Sequence, residues 1–219
     1  MHFLCLHGVG TNARILELQT VALRYGLGPG HTYDFVEGAV EHPMEPHISN
    51  LVSPGDTFHA YFEPASGHSM LRALQDLENL IEEADPPYDA VLGFSHGSTL
   101  VATMLLKPNR VYLPFKLAVF FSAGMAADHE ALKDDHVKIL HPKPGQKITI
   151  PTAHVYAAND EVSPGQGKLL EELCDSRSTY VSFHQLGHQI PGTGDKKDLA
   201  AALGAVRRAI EEAEEGISG

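Results

Sequence analysis

The chain has 219 residues, 43% hydrophobic and 20% charged, which suffices for one globular domain and is short for two. Its formal net charge of −12 argues against nucleic acid or an anionic membrane as partner. No run of about 18 apolar residues suggests a transmembrane helix, and the apolar start lacks the basic flank of a signal peptide. Cys5 and Cys174 are the only cysteines, and no metal-binding spacing occurs. We therefore expect a cytoplasmic protein with reduced thiols and neither metal nor cofactor.

The first predicted strand covers residues 2–7 and is followed by a helix predicted over 12–25, with Leu18 on its apolar face. The loop between them, His-Gly-Val-Gly, belongs to the first strand–helix unit. In a parallel sheet the backbone N–H groups of this loop point toward the carboxyl edge. The N–H of Val9 is therefore a candidate donor to a developing oxyanion. A turn that simply uses glycines is the alternative.

A second strand is predicted over 32–38, and a loop over 39–65 follows with four prolines. Loops this long in a compact domain are often functional. Its aromatic residues predict one wall of a substrate pocket, and a separate hydrophobic cluster is the alternative. These residues are Phe58, Tyr61 and Phe62.

Strands and helices alternate through the rest of the chain. The segment 125–150 is polar and leaves room for at most one short helix, so any lid is small. Because the strands are continuous apolar runs, they predict one mostly parallel sheet of about six strands with helices on both faces. We expect a single α/β domain over 1–219, with 216–219 as a frayed tail. The further strands are predicted over 90–92, 115–122, 151–158 and 180–184, and the helices over 66–84, 99–106, 164–175 and 195–214.

Residues 93–97, Gly-Phe-Ser-His-Gly, join an apolar strand to an apolar helix. G-x-S-x-G in a strand–turn–helix context is typical of a nucleophile elbow, in which a strained turn presents the serine above the sheet. Ser95 is therefore the candidate nucleophile. The free N–H of His96, at the start of the helix, is the second candidate oxyanion donor. A glycine-rich turn that merely packs a serine is the alternative.

Asp160 and His188 follow the fifth and sixth predicted strands, at the edge where ligands bind in such sheets. The order Ser, Asp, His is that of α/β hydrolases. Histidine suits proton transfer near neutral pH, and a buried carboxylate orients the ring. The sequence thus predicts His188 as general base and Asp160 as its partner. Glu161 remains an alternative acid and His184 an alternative base, and Asp160 could instead cap the following helix.

Together these residues resemble the FSH family of small serine hydrolases. The resemblance implies an α/β-hydrolase fold that cleaves carboxylic esters or thioesters through an acyl-enzyme. Family members include thioesterases that release polyketides in lovastatin-type pathways, which implies a possible acyl carrier domain as partner. The sequence departs from the family at Ala157 and Leu186, where glycine is frequent, and at Val9, where an aromatic is common. The matching motifs are Leu4-Cys5-Leu6-His7-Gly8, Gly93-Phe94-Ser95-His96-Gly97, Asp160 and His184-x-x-Gly187-His188-x-x-Pro191.

Two other functions remain open at this point. The same residues could transfer an acyl group to an acceptor other than water, or cyclise it. A binding protein could also keep the fold without catalysis. For a carrier partner, the basic residues Lys107, Arg110 and Lys116 form a candidate docking patch, with an ordinary solvated loop as the alternative.

Overall fold

Six parallel strands form the central sheet of the protein, whose computed structural model describes residues 1–108 and 113–216. Residues 217–219 of the predicted tail, and Arg110 of the predicted basic patch, lie outside the described residues. All five pairings in this sheet are parallel. The strands are β1 His2–Leu6, β2 Thr32–Val36, β3 Val40–Glu41, β4 His59–Ala60, β5 Ala90–Phe94, β6 Leu117–Phe121, β7 Thr152–Ala157 and β8 Thr179–His184. The sheet has the order β2-β1-β5-β6-β7-β8, which confirms the six predicted strands, and β3 pairs with β4 separately.

Helices cover both faces of this sheet. Side chains of β1 alternate between the faces, so Leu4 joins a core with α3 and α4, and Phe3 joins one with α1, α2 and α7. Within the described residues, no helix is long and apolar enough to cross a membrane. The helices are α1 Ala13–Gln19, α2 Val21–Leu27, α3 Gly67–Glu82, α4 His96–Leu105, α5 His129–Lys133, α6 Gln166–Glu171 and α7 Lys196–Glu215.

Three local predictions are corrected by the structure. The helix predicted over 12–25 is divided at Thr20, whose hydroxyl donates to the Leu16 carbonyl oxygen at 2.8 Å and so competes with regular helix geometry. Leu18, expected on the buried face, is 42% exposed. The long loop 39–65 contains the antiparallel pair β3–β4, which the sequence pattern did not indicate because each strand has only two residues.

His154 lies fully buried in β7, and this burial lowers the pKa of its imidazole from 6.5 to about 3. The folded state therefore keeps His154 neutral while the unfolded chain takes up a proton as the pH falls below 6.5. Stability from this group is complete above pH 6.5 and is lost as the pH falls toward 3. Between pH 7 and pH 5, His154 should account for about 2 kcal/mol of lost unfolding free energy.

Urea unfolding at pH 7 and pH 5 checks this expectation. Between pH 7 and pH 5, the unfolding free energy of the variant His154→Leu should fall by about 2 kcal/mol less than that of the wild type. This difference does not depend on how stable the variant is at pH 7. The exposed His141, changed to leucine, serves as control and should keep the full wild-type loss. An equal loss in wild type and His154→Leu would contradict the assignment.

Candidate active site

The turn between β5 and α4 holds Ser95 in a strained backbone conformation. Its φ of 51° lies in the left-handed region, which side chains other than glycine seldom adopt. Neighbouring glycines make the turn possible. A Cβ on Gly93 would lie 2.7 Å from the Ser98 backbone, and a Cβ on Gly97 would collide with the Leu6 carbonyl oxygen. The strand–turn–helix elbow that the motif predicted is therefore present.

The structure brings the three predicted reactive residues together. His188 Nε2 lies 2.8 Å from Ser95 Oγ, and His188 Nδ1 lies 2.8 Å from Asp160 Oδ2. With its proton on Nδ1, the ring donates to the carboxylate, and Nε2 accepts from the serine hydroxyl. Asp160 is 7% exposed, whereas Ser95 remains half-buried and open to a substrate. This series of hydrogen bonds can move a proton from the serine hydroxyl to His188.

The carboxylate of Asp160 is held by the backbone beyond β7. Its second oxygen, Oδ1, accepts the N–H groups of Val162 and Ser163, each at 2.9 Å. Asp160 thus organises the following turn and faces His188 at once, so the capping alternative does not exclude the catalytic one. Because the backbone N–H groups engage only Oδ1, the other oxygen stays directed at the imidazole.

Both rival residues lie apart from the Ser95 hydroxyl. Glu161 is exposed, and within the described residues it has no hydrogen bond to His188. His184 is buried at the end of β8, where its Nδ1 accepts the Leu186 N–H at 3.3 Å. Burial lowers the pKa of His184. The geometry therefore favours Asp160 and His188 as the partners of Ser95.

Asn159 supports the site, although no motif in the sequence indicated this role. Its side-chain amide donates to the Gln185 carbonyl at 3.1 Å, and its oxygen accepts the Gly187 N–H at 3.2 Å. These bonds tie the loop that carries Asp160 to the loop that carries His188. Its place directly before Asp160, at a strand end, was the only available signal.

The two candidate oxyanion donors are free to act. Within the described residues, neither the N–H of Val9 nor that of His96 donates to another protein group. His96 is the first residue of α4, so its N–H has no acceptor inside the helix. The Gly8 carbonyl accepts the Thr11 hydroxyl at 2.8 Å, which fixes the peptide that carries the Val9 N–H. The oxyanion role of both groups stays a prediction.

The His96 ring has a structural place behind the elbow. It stacks on Phe62 with ring centroids 3.9 Å apart, and its Nε2 accepts the Phe62 N–H at 3.4 Å. Burial, and then the charges of His7 and His42, lower the pKa of His96 to about 3. The ring is therefore neutral at ordinary pH.

A cavity of about 500 Å³ opens over Ser95 and His188. Its walls come from the Val9 loop, the α1–α2 junction, the segment 45–51 and the loop 188–195. Phe58, Tyr61 and Phe62 do not line it, which corrects the predicted pocket wall. The long loop does contribute, through lining residues that include Ile48 and Leu51.

Tyr61 explains why the aromatic prediction was wrong. Its hydroxyl accepts the His7 N–H and donates to the Val36 carbonyl, both at 2.8 Å. Tyr61 therefore links the ends of β1 and β2. Tyrosine buried in this way satisfies its hydroxyl and fills volume at once. Tyr61 and Phe62 both pack against the ring of His96 at the elbow, and the cavity lies elsewhere.

The lysines of the predicted docking patch are already paired. Lys107 Nζ lies 2.7 Å from Glu78 and Lys116 Nζ lies 2.7 Å from Asp89.

In the described part of the chain, no cluster of three or more histidine, cysteine or acidic residues could hold a metal ion.

Comparisons with known proteins point the same way as the geometry. Residues 1–200 match the model of a family described as "Serine hydrolase (FSH1)". The chain is 38% identical over 197 residues to esterase FPY3 of Fusarium mangiferae, covering 87% of this chain and 88% of that protein. It is 32% identical over 230 residues to the probable esterase tazC of Aspergillus terreus, covering 86% and 84%. Among solved structures, a carboxylesterase from Mesorhizobium loti has a TM-score of 0.62 at 19% identity, covering 94% and 88%, which confirms the α/β-hydrolase fold.

Proposed function

The chain belongs to the FSH1 family of serine hydrolases, and from this premise we propose that it hydrolyses carboxylic esters through Ser95, His188 and Asp160. The observation that carries the proposal is the hydrogen-bonded series from the strained Ser95 hydroxyl through His188 to Asp160. Ser95 and His188 line the cavity, which supports the proposal further. Esterase names among the relatives favour an oxygen ester as the substrate.

Acylation begins when Ser95 Oγ attacks the ester carbonyl carbon and His188 Nε2 takes the hydroxyl proton. The carbonyl oxygen becomes an oxyanion, which the N–H groups of Val9 and His96 bind. Asp160 stabilises the imidazolium that forms. As the tetrahedral intermediate collapses, the bond to the alcohol oxygen breaks, and His188 gives its proton to the leaving alcohol.

Deacylation repeats these steps with water. His188 Nε2 takes a proton from a water molecule, whose oxygen attacks the acyl carbon of the Ser95 ester. As the second tetrahedral intermediate collapses, the bond between the acyl carbon and Ser95 Oγ breaks, His188 returns the proton to Ser95 Oγ, and the acid leaves. The enzyme is then restored, and one ester and one water have become an acid and an alcohol.

Thioesters are chemically possible substrates of the same groups, because the acyl-enzyme is the same. Cleavage of thioesters, release of polyketides, an acyl carrier partner and a cytoplasmic location all stay predictions. A panel of p-nitrophenyl esters and N-acetylcysteamine thioesters with equal acyl chains would compare the two bond types. Addition of an alcohol acceptor to these assays would reveal any acyl transfer as a new ester product.

Labelling with a fluorophosphonate tests the proposal directly. Such probes react with a serine only when a neighbouring base activates it. Intact mass should show one adduct on the wild type and none on Ser95→Ala. No adduct on a folded wild-type protein would overturn the proposal and favour a binding protein with a hydrolase fold.

A further inference from the structure

Large apolar side chains that the fold leaves exposed surround the opening above Ser95. Leu18, Val21 and Val162 are 42%, 49% and 53% exposed, and all three line the cavity. Exposed apolar surface at a concave site is typical of a place where a ligand binds. Ile48 and Leu51 extend this apolar wall on the side of the long loop.

The charged side chains that line the same cavity are acidic. Glu45 lies in the segment 45–51 of the lining, and Asp195 lies in the loop before α7. His47 lies against Glu45, with Nδ1 2.6 Å from the carboxylate. Within the described residues, neither lysine nor arginine lines the cavity.

Arg14, which contacts the segment next to the cavity, is engaged with other groups. Arg14, at the start of α1, forms an ion pair with Asp56 and donates to the Leu51 carbonyl at 2.9 Å. These bonds hold the Arg14 side chain to the loop 39–65. The negative charges of Glu45 and Asp195 are therefore not balanced by a guanidinium or an ammonium in the cavity lining.

From these observations we infer that the site selects uncharged esters with an apolar chain and rejects esters that carry an anionic group on the acyl chain. The inference rests on the esterase function proposed above. Leu18 and Val21 bind the apolar chain, and Glu45 and Asp195 determine the charge specificity. Like charges in a partly enclosed site repel more strongly than in bulk water, because the local dielectric is lower. Burial of an unpaired carboxylate against an apolar wall adds to the penalty.

A matched pair of substrates tests the charge specificity. p-Nitrophenyl hexanoate and mono-p-nitrophenyl adipate differ only where a terminal methyl group is replaced by a carboxylate. Rates are measured at pH 8 and low salt, with the rate of Ser95→Ala subtracted as background. We expect wild-type kcat/KM to favour the hexanoate by about tenfold or more. High salt should reduce this preference, because it screens the repulsion.

Neutralising the two carboxylates separates charge from apolarity. The double variant Glu45→Gln and Asp195→Asn should narrow the preference by about three- to tenfold through faster hydrolysis of the adipate. Circular dichroism and labelling with a fluorophosphonate show whether the double variant folds. As control, Glu211→Gln with Glu214→Gln removes the same net charge from exposed positions on α7 and should leave the ratio unchanged.

Two results would overturn the inference alone. One is a wild type that hydrolyses both esters equally well, and the other is a ratio that both double variants change equally or not at all. A folded wild type that hydrolyses neither ester would instead overturn the proposed function, and this inference with it.

Discussion

Replacement of Ser95 or His188 with alanine is expected to lower kcat for a p-nitrophenyl ester by about six orders of magnitude. In the proposed mechanism Ser95 supplies the attacking oxygen, and His188 Nε2, 2.8 Å from Ser95 Oγ, takes its proton. Because Ser95 and His188 act together in one proton transfer, the two single variants should lose nearly the same factor in kcat. The double variant should lose no more than either single variant. Residual activity then comes from substrate binding and the oxyanion donors.

Matched variants guard against a general loss of folding. Ser122 is a buried serine directly after β6, its φ is also positive, and its hydroxyl has no hydrogen-bond partner in the described structure. Ser122→Ala should therefore keep near wild-type kcat. His184→Gln examines the rival base and should keep more than a tenth of the activity. Retention of more than about 1% of kcat by Ser95→Ala would contradict the assigned nucleophile.

Asp160→Asn should lower kcat by about four orders of magnitude and change KM little. The structure gives a specific reason. Because the N–H groups of Val162 and Ser163 hold Oδ1, the amide oxygen of asparagine will occupy that position. The amide NH₂ then faces His188 Nδ1 as a donor, so the ring must carry its proton on Nε2. In that tautomer Nε2 cannot accept the Ser95 proton.

The kinetic test compares Asp160→Asn with Glu161→Gln, a neighbouring removal of one negative charge. Glu161 is exposed, so its variant should keep kcat within about twofold. Circular dichroism and a fluorophosphonate reaction rate on each protein separate misfolding from loss of proton transfer. If Asp160→Asn retained a tenth of wild-type kcat, another carboxylate would have to orient His188.

Local signals were enough to predict the sheet and that Ser95, Asp160 and His188 lie together at its edge. The six strands are short apolar runs, and their carboxyl ends meet at one edge, so residues just beyond β5, β7 and β8 had to lie close together. The G-x-S-x-G spacing identified the elbow, since only glycine fits beside Ser98 and Leu6. For these features the periodicity of the chain and its turn chemistry agree.

The cavity walls were not predictable in the same way. Leu18 continues the apolar spacing of its helix, so the pattern assigned it to the core, yet the division at Thr20 leaves it facing the cavity. Tyr61 lies in a long loop, and nothing local shows that its hydroxyl will meet His7 and Val36. Both outcomes depend on contacts between distant parts of the chain, which override local preference.

The proposed catalytic residues and the proposed substrate wall lie in different parts of this molecule. Ser95, Asp160 and His188 follow strands β5, β7 and β8, whereas the apolar wall belongs to the α1–α2 junction and the segment 45–51. Substitutions in the wall can accumulate without moving the reactive groups. Over evolutionary time, gene duplicates of such an enzyme can acquire new substrates while keeping one reaction.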